Sequence, residues 1–578
     1  MRSPARAPGD TRQPRRDVGL YPAEPVVSSR GGSLGAPDAP VTAGEPALHE
    51  RPPGRPGASR RAVVEAAAVV GSATLLSRVL GFARDMVVAR AFGAGALTDA
   101  FFVAFRLPNL LRRLVAEGAL SAAFIPVFTE YLTTRTPEET RRMLRAVAGT
   151  TLLVLTALTV TGIVAAPILV RVMAPGFFAD PARGALTVRL TRLMFPYLFF
   201  VGLAALAMGV LNAHRRFFAP ALAPVALNLG IIAAVVLVAP RLTQPVFGLA
   251  AGVVVGGLGQ FLVQVPGLLA QGVLLRPALE PGHPAVRRCF RLMAPVVVGQ
   301  SANQLNVLIN TVIASFLGGG SVSYLYYADR LVEFPQGVFG IAIATAVLPT
   351  LSEHAARRET DALRHTLSFA LRLAAFIGLP AAIGLWVLRE PIVRVLYQRG
   401  QFGPTEAAGT AAAVGFYALG LVGWGGAKIG AQAFYALGDT RTPVKVAVGS
   451  MALNSLLALA FVRPLAHAGL ALASAAAGTA NAVLLIGLLR RRLGAAPSAE
   501  TRRAWGRIVA GSLVLAVLLG AAVRLWPPPV GRTLEAAWLG TMILGAVGLY
   551  AAVHATLGSE EARLAWTFLR RRRTGKLH

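Results

Sequence analysis

The sequence is a succession of apolar segments, each long enough to cross a lipid bilayer as a helix. Fourteen such segments lie near residues 64–92, 97–131, 145–173, 187–213, 219–239, 246–270, 287–317, 322–352, 362–388, 405–436, 443–463, 467–489, 504–524 and 534–557. A hydrocarbon core of ~30 Å takes roughly 20 helical residues, and the runs are continuous rather than alternating, which excludes barrel strands. Hydrophobic residues make up 55% of the chain and charged residues 15%, too few for the polar shell of a soluble core. The sequence therefore predicts an all-α polytopic membrane protein with about 14 transmembrane helices.

Basic residues in the connecting loops predict how these helices are oriented. Short cytoplasmic loops collect lysine and arginine. Alternate loops here are rich in arginine, whereas 93–97 and 318–321 have no basic residue, and only 389–404 departs from the pattern. Because the number of spans is even, both termini are expected in the cytoplasm. The formal charge of +30 then serves mainly as an orientation signal, and nucleic-acid binding becomes a remote interpretation.

The chain also divides into regions of different composition. Residues 1–62 are rich in proline, glycine and arginine without an apolar period, which predicts a disordered cytoplasmic tail. The segment AFIPVFTE at 123–130 is echoed by AVLPTLSE at 346–353, six spans later and in the same orientation. Such a repeat predicts two lobes related by an axis along the membrane normal. The predicted regions are an N-lobe over 63–271 with helices 1–6, a C-lobe over 287–490 with helices 7–12, helices 13 and 14 over 503–558, and a basic cytoplasmic tail over 559–578.

Charged residues inside the predicted spans are the candidate functional residues. An ionised side chain at a helix centre costs roughly 2.5–3.5 kcal/mol on insertion scales. The polar residues in question are Ser77, Arg78, Arg84 and Asp85 in the first span, Asp99, Arg106, Arg112, Arg113 and Glu117 in the second, Asp329, Arg330 and Glu333 in the eighth, and Lys428 in the tenth. In the first two spans arginines outnumber acids, so local pairing leaves positive charge over. Unmatched arginine facing a cavity suits an anionic substrate, above all a phosphate, whose oxygens it holds two at a time.

A structural role is the alternative for each of these residues taken singly. Arg113 and Glu117 are spaced for an i,i+4 ion pair, and an arginine near a span end can extend its head group to the interface. For Lys428, lining a cavity and reaching the interface are about equally favoured. The excess of arginine over acid across the whole set favours the functional interpretation.

Catalytic chemistry has little support in the sequence. The single cysteine, Cys289, excludes a disulfide framework and a cysteine-ligated metal site. The histidines show no HExxH spacing, and no P-loop is present. The glycines at 256–259 and 318–320 suit close helix packing and a tight turn. The sequence therefore predicts neither an enzyme nor a metal site.

Several motifs resemble those of a known family. They are SRVLGFARD at 77–85, TDAFFVAFRLPNLLRR at 98–113, AEG at 116–118 and YYADRL at 326–331. These stretches are similar to those of the MurJ (MviN) family, lipid II flippases of the multidrug/oligosaccharidyl-lipid/polysaccharide exporter superfamily. The resemblance runs from about residue 65 to the last span and leaves only the N-terminal tail outside.

The resemblance implies a fold, a substrate and roles for individual residues. It implies two six-helix lobes around a central cavity, and a final helix pair that forms a groove for the lipid tail. It implies that undecaprenyl-diphosphate-linked muropeptide moves from the inner to the outer leaflet of the cytoplasmic membrane by alternating access. The residues that match diphosphate-binding arginines of the family are Arg84, Arg112 and Arg330, and those that match other functionally important positions are Ser77, Arg78, Asp85, Asp99, Glu117 and Asp329.

Cofactors and partners follow from the same comparison. No cofactor is expected, and the identity of any counter-ion is left open. A sodium site in some members uses acidic residues on later spans, whereas this chain offers only Asn303, Asn306 and Asn310 on the seventh span and Ser450 and Asn454 on the eleventh, so that site is not expected to be intact. The expected partners are lipid II, membrane lipids and, as an open alternative, cell-wall synthesis proteins.

Two rival functions come from other classes. A polyprenyl-phosphate glycosyltransferase or ligase would also use arginines for a diphosphate, but normally carries catalytic acids on a sizeable outside loop, and the largest outside segment here is about 389–404. An exporter of small cationic drugs would share the fold class but should line its cavity with acids and aromatic residues rather than with a surplus of arginine.

Overall fold

The structure is a computed structural model that describes residues 56–113, 120–273, 276–494 and 499–563, with side chains described except at 56–69, 298–303, 338, 339 and 341. All regular elements in these ranges are helical. The expected tail over 1–62 falls almost entirely outside the described residues, as do Glu117 and most of the basic C-terminal segment. From Arg60 onward the chain forms one compact unit.

Within the described residues, the first half of this unit contains ten α-helices. They are α1 (Pro56–Phe92), α2 (Ala96–Leu111), α3 (Ser121–Thr134), α4 (Pro137–Val164), α5 (Ala166–Met173), α6 (Pro181–Met194), α7 (Pro196–Ala213), α8 (Phe218–Ala233), α9 (Pro245–Leu262) and α10 (Val265–Ala270). Helix α9 packs against α7 and α8, and α7 also packs against α3 and α4. Glycines let α8 and α9 approach closely, because a Cβ on Gly230 would come within 2.7 Å of the Cα of Gly256.

The second half contains ten more. They are α11 (Pro284–Ser315), α12 (Ser321–Pro335), α13 (Ala342–Ala356), α14 (Thr360–Val387), α15 (Arg389–Tyr397), α16 (Pro404–Ala418), α17 (Leu421–Ala436), α18 (Arg441–Leu493), α19 (Ala499–Leu525) and α20 (Arg532–Thr556). Helix α17 packs against α13, α14 and α18, and α14 also packs against α19. The two halves meet where α2 contacts α12 and where α11 contacts α3, α4 and α5.

The membrane character of the chain is confirmed, whereas the count of fourteen crossings stays a prediction. Within the described ranges, eight helices are long and apolar enough to cross a membrane, and a ninth span results if α16 and α17, bent by 42°, are counted as one. Several predicted spans consist of two shorter helices, such as α2 with α3 and α12 with α13. The outer faces of α19 and α20 expose apolar side chains, including Val517 and Leu544, which the bilayer would cover.

The two segments of the sequence repeat are broken in the same way. Residues 112, 113 and 120 are π-helical between α2 and α3, and Gln336–Ile341 is π-helical between α12 and α13. Each break follows a proline, Pro108 in α2 and Pro335 at the end of α12, which cannot donate a helical hydrogen bond. Insertions of this type are frequent at functional sites, and these two flank the charged residues described next. The proposed lobe boundaries remain predictions.

Helix α18 contains the sharpest break. Ala466 has φ 48° and ψ −132°, two residues after Pro464, so the 53 residues of α18 form two helices. A Cβ on Gly469 would lie 2.3 Å from the carbonyl oxygen of Phe461, so only glycine permits this close return of the chain. The break falls between the predicted spans 443–463 and 467–489.

Candidate functional site

An arginine and an aspartate on α1 form the centre of the buried charge network. The guanidinium of Arg84 donates to Oδ1 of Asp85 from Nε at 3.0 Å and from Nη2 at 2.7 Å. It also donates to Oδ1 of Asn228 on α8 at 3.2 Å and reaches the Tyr326 hydroxyl at 3.3 Å. The Arg84 and Asp85 side chains are 12% and 5% exposed. Arg84 is therefore well satisfied by groups of the protein in this conformation.

Residues of α12, in the second half of the chain, contact the Arg84–Asp85 pair. Arg330 Nε lies 3.7 Å from the other carboxylate oxygen of Asp85, while its Nη1 donates to Glu333 at 2.6 Å. The Arg330 guanidinium also lies over the Tyr326 ring, 5.1 Å from its centroid, and the Tyr326 hydroxyl donates to Asp85 at 3.3 Å. Asp85 is thus shared between two arginines from different lobes, and Arg330 is the more exposed of the two, at 29%.

Arg112 and Arg113, two further predicted site residues, directly follow α2 in the chain. Arg112 donates from Nε to Oδ1 of Asn109 at 2.9 Å, and Arg113 is exposed. Arg112 and Arg113 act electrostatically on Tyr197, as Arg84 does, so the three cations share one region.

Three more predicted site residues are Ser77 and Arg78 on α1 and Lys428 on α17. A Cβ on Gly337 would come within 2.7 Å of Nη1 of Arg78, so this side chain rests on the π-helical segment after α12. The Ser77 carbonyl accepts a hydrogen bond from Asn228 Nδ2 at 3.1 Å. Lys428 on α17 is half-buried.

A cavity of about 880 Å³ lies beside the network. Its lining includes Arg106 on α2, Tyr326 and Asp329 on α12, and a wall from α11 and α16 to α18. Arg106 bonds to the Thr311 hydroxyl. Asp329 is exposed to the cavity and makes neither a hydrogen bond nor an ion pair with any described residue, although Arg330 and Arg106 act on it electrostatically.

Asp99 has a different environment from the other predicted charges. It is fully buried where α2 meets α12, and its Oδ2 accepts from Arg183 Nη2 at 2.7 Å and from the Gly320 N–H at 2.8 Å. Its Oδ1 accepts from the Ser323 N–H at 2.8 Å and hydroxyl at 2.6 Å. Arg183 is held over the Phe177 ring, 3.7 Å from its centroid. We call this group the Asp99 clamp (Asp99, Arg183, Gly320 and Ser323), and it joins the lobes at the end carrying the two glycine turns.

The amides of α11 and α18 form a closed polar cluster. Asn454 Nδ2 donates to Oδ1 of Asn306 at 2.8 Å and of Asn310 at 2.9 Å. Ser474 donates to Asn454 Oδ1 at 3.2 Å, and Asn310 Nδ2 donates to Ser474 at 3.0 Å. None of these residues is a carboxylate, and their oxygens already accept hydrogen bonds from one another. The expectation that the sodium site implied by the family resemblance is not intact stays a prediction.

Some residues of these networks had no clear signal in the sequence. Asn228 and Arg183 lie on α8 and α6, far along the chain from their partners. Tyr326 lies inside a family motif, but only the structure places it between Arg84, Asp85 and Arg330. An isolated amide in an apolar span was the one available signal for Asn228, since such a group needs a partner inside the membrane.

The fold and the site together define a helical multi-pass membrane transporter, in which two lobes meet at buried ion pairs beside a polar cavity. A family model described as lipid II flippase MurJ matches residues 88–530. The lipid II flippase MurJ of Burkholderia cenocepacia is 42% identical over 454 residues, which cover 78% of this chain and 88% of that protein. The probable lipid II flippase MurJ of Haemophilus influenzae is 37% identical over 513 residues, covering 85% and 99%. This chain belongs to the MurJ family.

Solved structures give the same result for the fold. A structure of lipid II flippase MurJ in an inward closed conformation superposes with a TM-score of 0.71 at 25% identity and covers 85% of this chain and 98% of its own. An inward-facing multidrug resistance transporter of the MATE family has a TM-score of 0.62 at 17% identity, covering 74% and 98%, and shares the fold alone. The resemblance in the sequence motifs is confirmed.

Proposed function

We propose that this chain is a lipid II flippase that moves undecaprenyl-diphosphate-linked muropeptide from the inner to the outer leaflet by alternating access. Family membership and the names of the relatives support this function. The observation that carries it is the sharing of one carboxylate, Asp85, by Arg84 and Arg330 from opposite lobes, beside a cavity. Near this group, cations outnumber acids among the described residues: Arg78, Arg84, Arg106, Arg112, Arg113, Arg330 and Lys428 against Asp85, Asp329 and Glu333.

The chemistry of this network suits a diphosphate. A diphosphate cannot cross hydrocarbon without a replacement for its hydration, and guanidinium groups supply paired N–H donors as well as charge. In this conformation the Arg330 guanidinium donates from Nη1 to Glu333 and forms a longer ion pair, at 3.7 Å, with Asp85. An incoming diphosphate competes with these carboxylates for Arg330 first, because Arg330 is more exposed than Arg84. Arg84 and Arg112 then complete the site.

Alternation requires that the lobes separate at one end while they meet at the other. The Asp99 clamp joins them at the end with the turns at 93–97 and 318–321, which the loop charges predict to be outside. Release of the clamp would open the cavity to the outside. With the inside negative, outward movement of net negative charge is favoured by ~2.3 kcal/mol per charge per 100 mV.

The location and partners belong to the same proposal. The chain is placed in the cytoplasmic (inner) membrane with both termini in the cytoplasm, in contact with lipid II and membrane lipids, and with cell-wall synthesis proteins as an open further partner. It needs neither a cofactor nor nucleic acid. Reporter fusions after Glu130, Glu353 and Leu569 are expected to read cytoplasmic, and fusions at Ala94 and Gly319 outside. A reversed readout at two of these sites would contradict the fourteen-span topology.

The decisive experiment is complementation of a strain depleted of its own lipid II flippase. The full chain and a version lacking residues 1–62 are expected to restore growth. Translocation of lipid II in vesicles from the same cells measures the activity directly. Insertion at normal level without growth and without translocation would contradict the proposed function.

A further inference from the structure

The lining of the cavity beside the charge network is almost neutral. It differs in this from the group of arginines that would hold a diphosphate. Arg106 and Asp329 are the charged residues in its described lining. Arg84, Arg112 and Arg330 are not part of that lining, and Arg84 and Arg330 adjoin it through Tyr326. Asp329, an unpaired carboxylate at the border, repels a phosphate that would slide further in. The body of the cavity therefore fits a part of the substrate that is not the diphosphate.

Part of the cavity lining combines aromatic side chains with amides. Tyr417 on α16, and Trp424 and Tyr435 on α17, line the cavity together with Asn481 on α18. The Tyr417 and Trp424 rings are inclined to each other at 53°, with their centroids 6.1 Å apart. Asn481 forms no hydrogen bond with another described residue, and its Oδ1 is buried without a partner. Aromatic faces pack on the C–H surfaces of sugars, and amides pair with N-acetyl and peptide groups. Pockets with a few placed polar groups among aromatic residues are typical ligand sites.

The position of Trp424 is specifically accommodated by its neighbours. A Cβ on Gly478 would lie 2.2 Å from the indole Nε1, and a Cβ on Gly420 would lie 2.9 Å from the indole ring. The absence of side chains at these two positions leaves the space that the indole fills. Gly478 of α18 therefore determines how closely the Trp424 indole packs against α18.

We propose that Tyr417, Trp424 and Asn481 form the subsite for the sugar and peptide head group of the lipid-linked substrate, separate from the arginines that hold its diphosphate. This inference rests on the proposed function. The subsite explains how the protein selects a glycosylated lipid over the bare polyprenyl diphosphate, because both carry a diphosphate and the same tail, and the diphosphate of the bare lipid has the higher charge. The volume of about 880 Å³ lies within the usual range of ligand pockets, about 300–1,000 Å³.

The test compares two ligands on purified full-length protein in nanodiscs. Lipid II and undecaprenyl diphosphate share the tail and the diphosphate, and lipid II carries in addition the sugar and peptide head group, which esterifies the second phosphate. The wild-type protein is expected to bind lipid II more tightly, and Trp424→Leu to weaken lipid II about tenfold, as for one well-packed aromatic anchor, with undecaprenyl diphosphate unchanged. Gly478→Ala, which displaces the indole without removing it, is expected to act in the same direction. Trp386→Leu is the matched control, because Trp386 lies on α14 against Phe416 and outside the described lining.

Each outcome separates this inference from the proposed function. Equal affinity of the wild type for both ligands, an equal loss for both in Trp424→Leu, or no loss for either overturns the subsite. Trp424-dependent binding of tetraphenylphosphonium with no preference for lipid II would instead identify an aromatic site for small cations. Arg330→Ala is expected to weaken both ligands alike. If neither ligand binds the wild type, the proposed function fails, whereas failure of the subsite alone leaves the Arg330→Ala effect in place.

Discussion

The two buried carboxylates that join the lobes, Asp99 and Asp85, differ in how completely they are satisfied. Asp99 is fully buried and accepts four hydrogen bonds from three residues, one of which, Arg183, balances its charge. Asp85 is shared by two arginines, one of them at 3.7 Å and 29% exposed. Breaking a fully satisfied buried pair is costly, whereas a partly exposed arginine can exchange one anion for another. The comparison supports the proposal that Asp99 closes the protein and that the Asp85 region binds the substrate.

The largest expected effect comes from removing the arginines of the binding region. Arg330→Ala, Arg84→Ala and Arg112→Ala are each expected to abolish complementation while the protein inserts at normal level, because the diphosphate loses a charge-assisted partner at low dielectric. Arg142→Ala, on a side chain that is 70% exposed, is the control and should leave growth unchanged. Normal growth of all three variants would remove the basis for the binding region.

The sequence predicted the helical class, the repeat and the charges of this region, because apolar run length and intramembrane charge are local signals. It did not predict which charges meet. Arg84 and Asp85 are neighbours in the chain, yet their link to Arg330 depends on how α12 packs against the first half. Asp99 and Asp85 looked alike in the sequence, and only Arg183 and the Gly320 turn make one of them a clamp. The π-helical breaks also had no local signal beyond a nearby proline.

A smaller and graded effect is expected from changing Arg84 without deleting it. Arg84→Lys keeps the charge but loses the planar fork, so we expect about a tenfold loss of lipid II translocation, whereas Arg84→Gln keeps a donor without the charge and should lose it fully. The exchange Arg84→Asp with Asp85→Arg preserves an ion pair. If the substrate is the partner, the exchange cannot restore translocation, and rescue by it would assign Arg84 to the ion pair alone.

Weakening the Asp99 clamp is expected to shift conformation rather than abolish binding. Asp99→Asn removes the charge that Arg183 pairs with and sets an amide N–H against a backbone donor, and loss of one partner of a buried pair costs about 3–5 kcal/mol. The Cβ of Ala96 lies 3.4 Å from the Cβ that Gly319 would carry, so cysteines at these positions, in a Cys289→Ala background, report closure by forming a disulfide. Asp99→Asn is expected to lower the yield of this disulfide.

The control for this measurement lies at the same end of the molecule. Asp180 accepts hydrogen bonds from the N–H groups of Ala182 and Arg183 at the start of α6 and, within the described part of the chain, forms no hydrogen bond across the lobes. Asp180→Asn should leave the disulfide yield unchanged. An equal yield in Asp99→Asn and in the unsubstituted pair would mean that the clamp does not control closure.

The smallest expected effect concerns a third carboxylate, Asp439, which lies partly exposed in the loop between α17 and α18. The backbone N–H and hydroxyl of Thr442 donate to it at 3.0 and 2.8 Å, the Arg441 N–H donates at 3.1 Å, and Arg492 pairs with it at 2.9 Å. These hydrogen bonds, with a contribution from Arg492, hold the pKa of Asp439 below its usual range. The contribution of ionised Asp439 to the stability of the folded protein is therefore complete above the unfolded pKa of about 3.9 and is lost as the pH falls through the lower folded value.

Asp439→Asn should lower the Tm in detergent at pH 7 by less than Asp99→Asn does, and the difference from wild type should shrink below about pH 3.9. A difference that stays constant from pH 7 to pH 3 would assign the effect to hydrogen-bond geometry rather than charge.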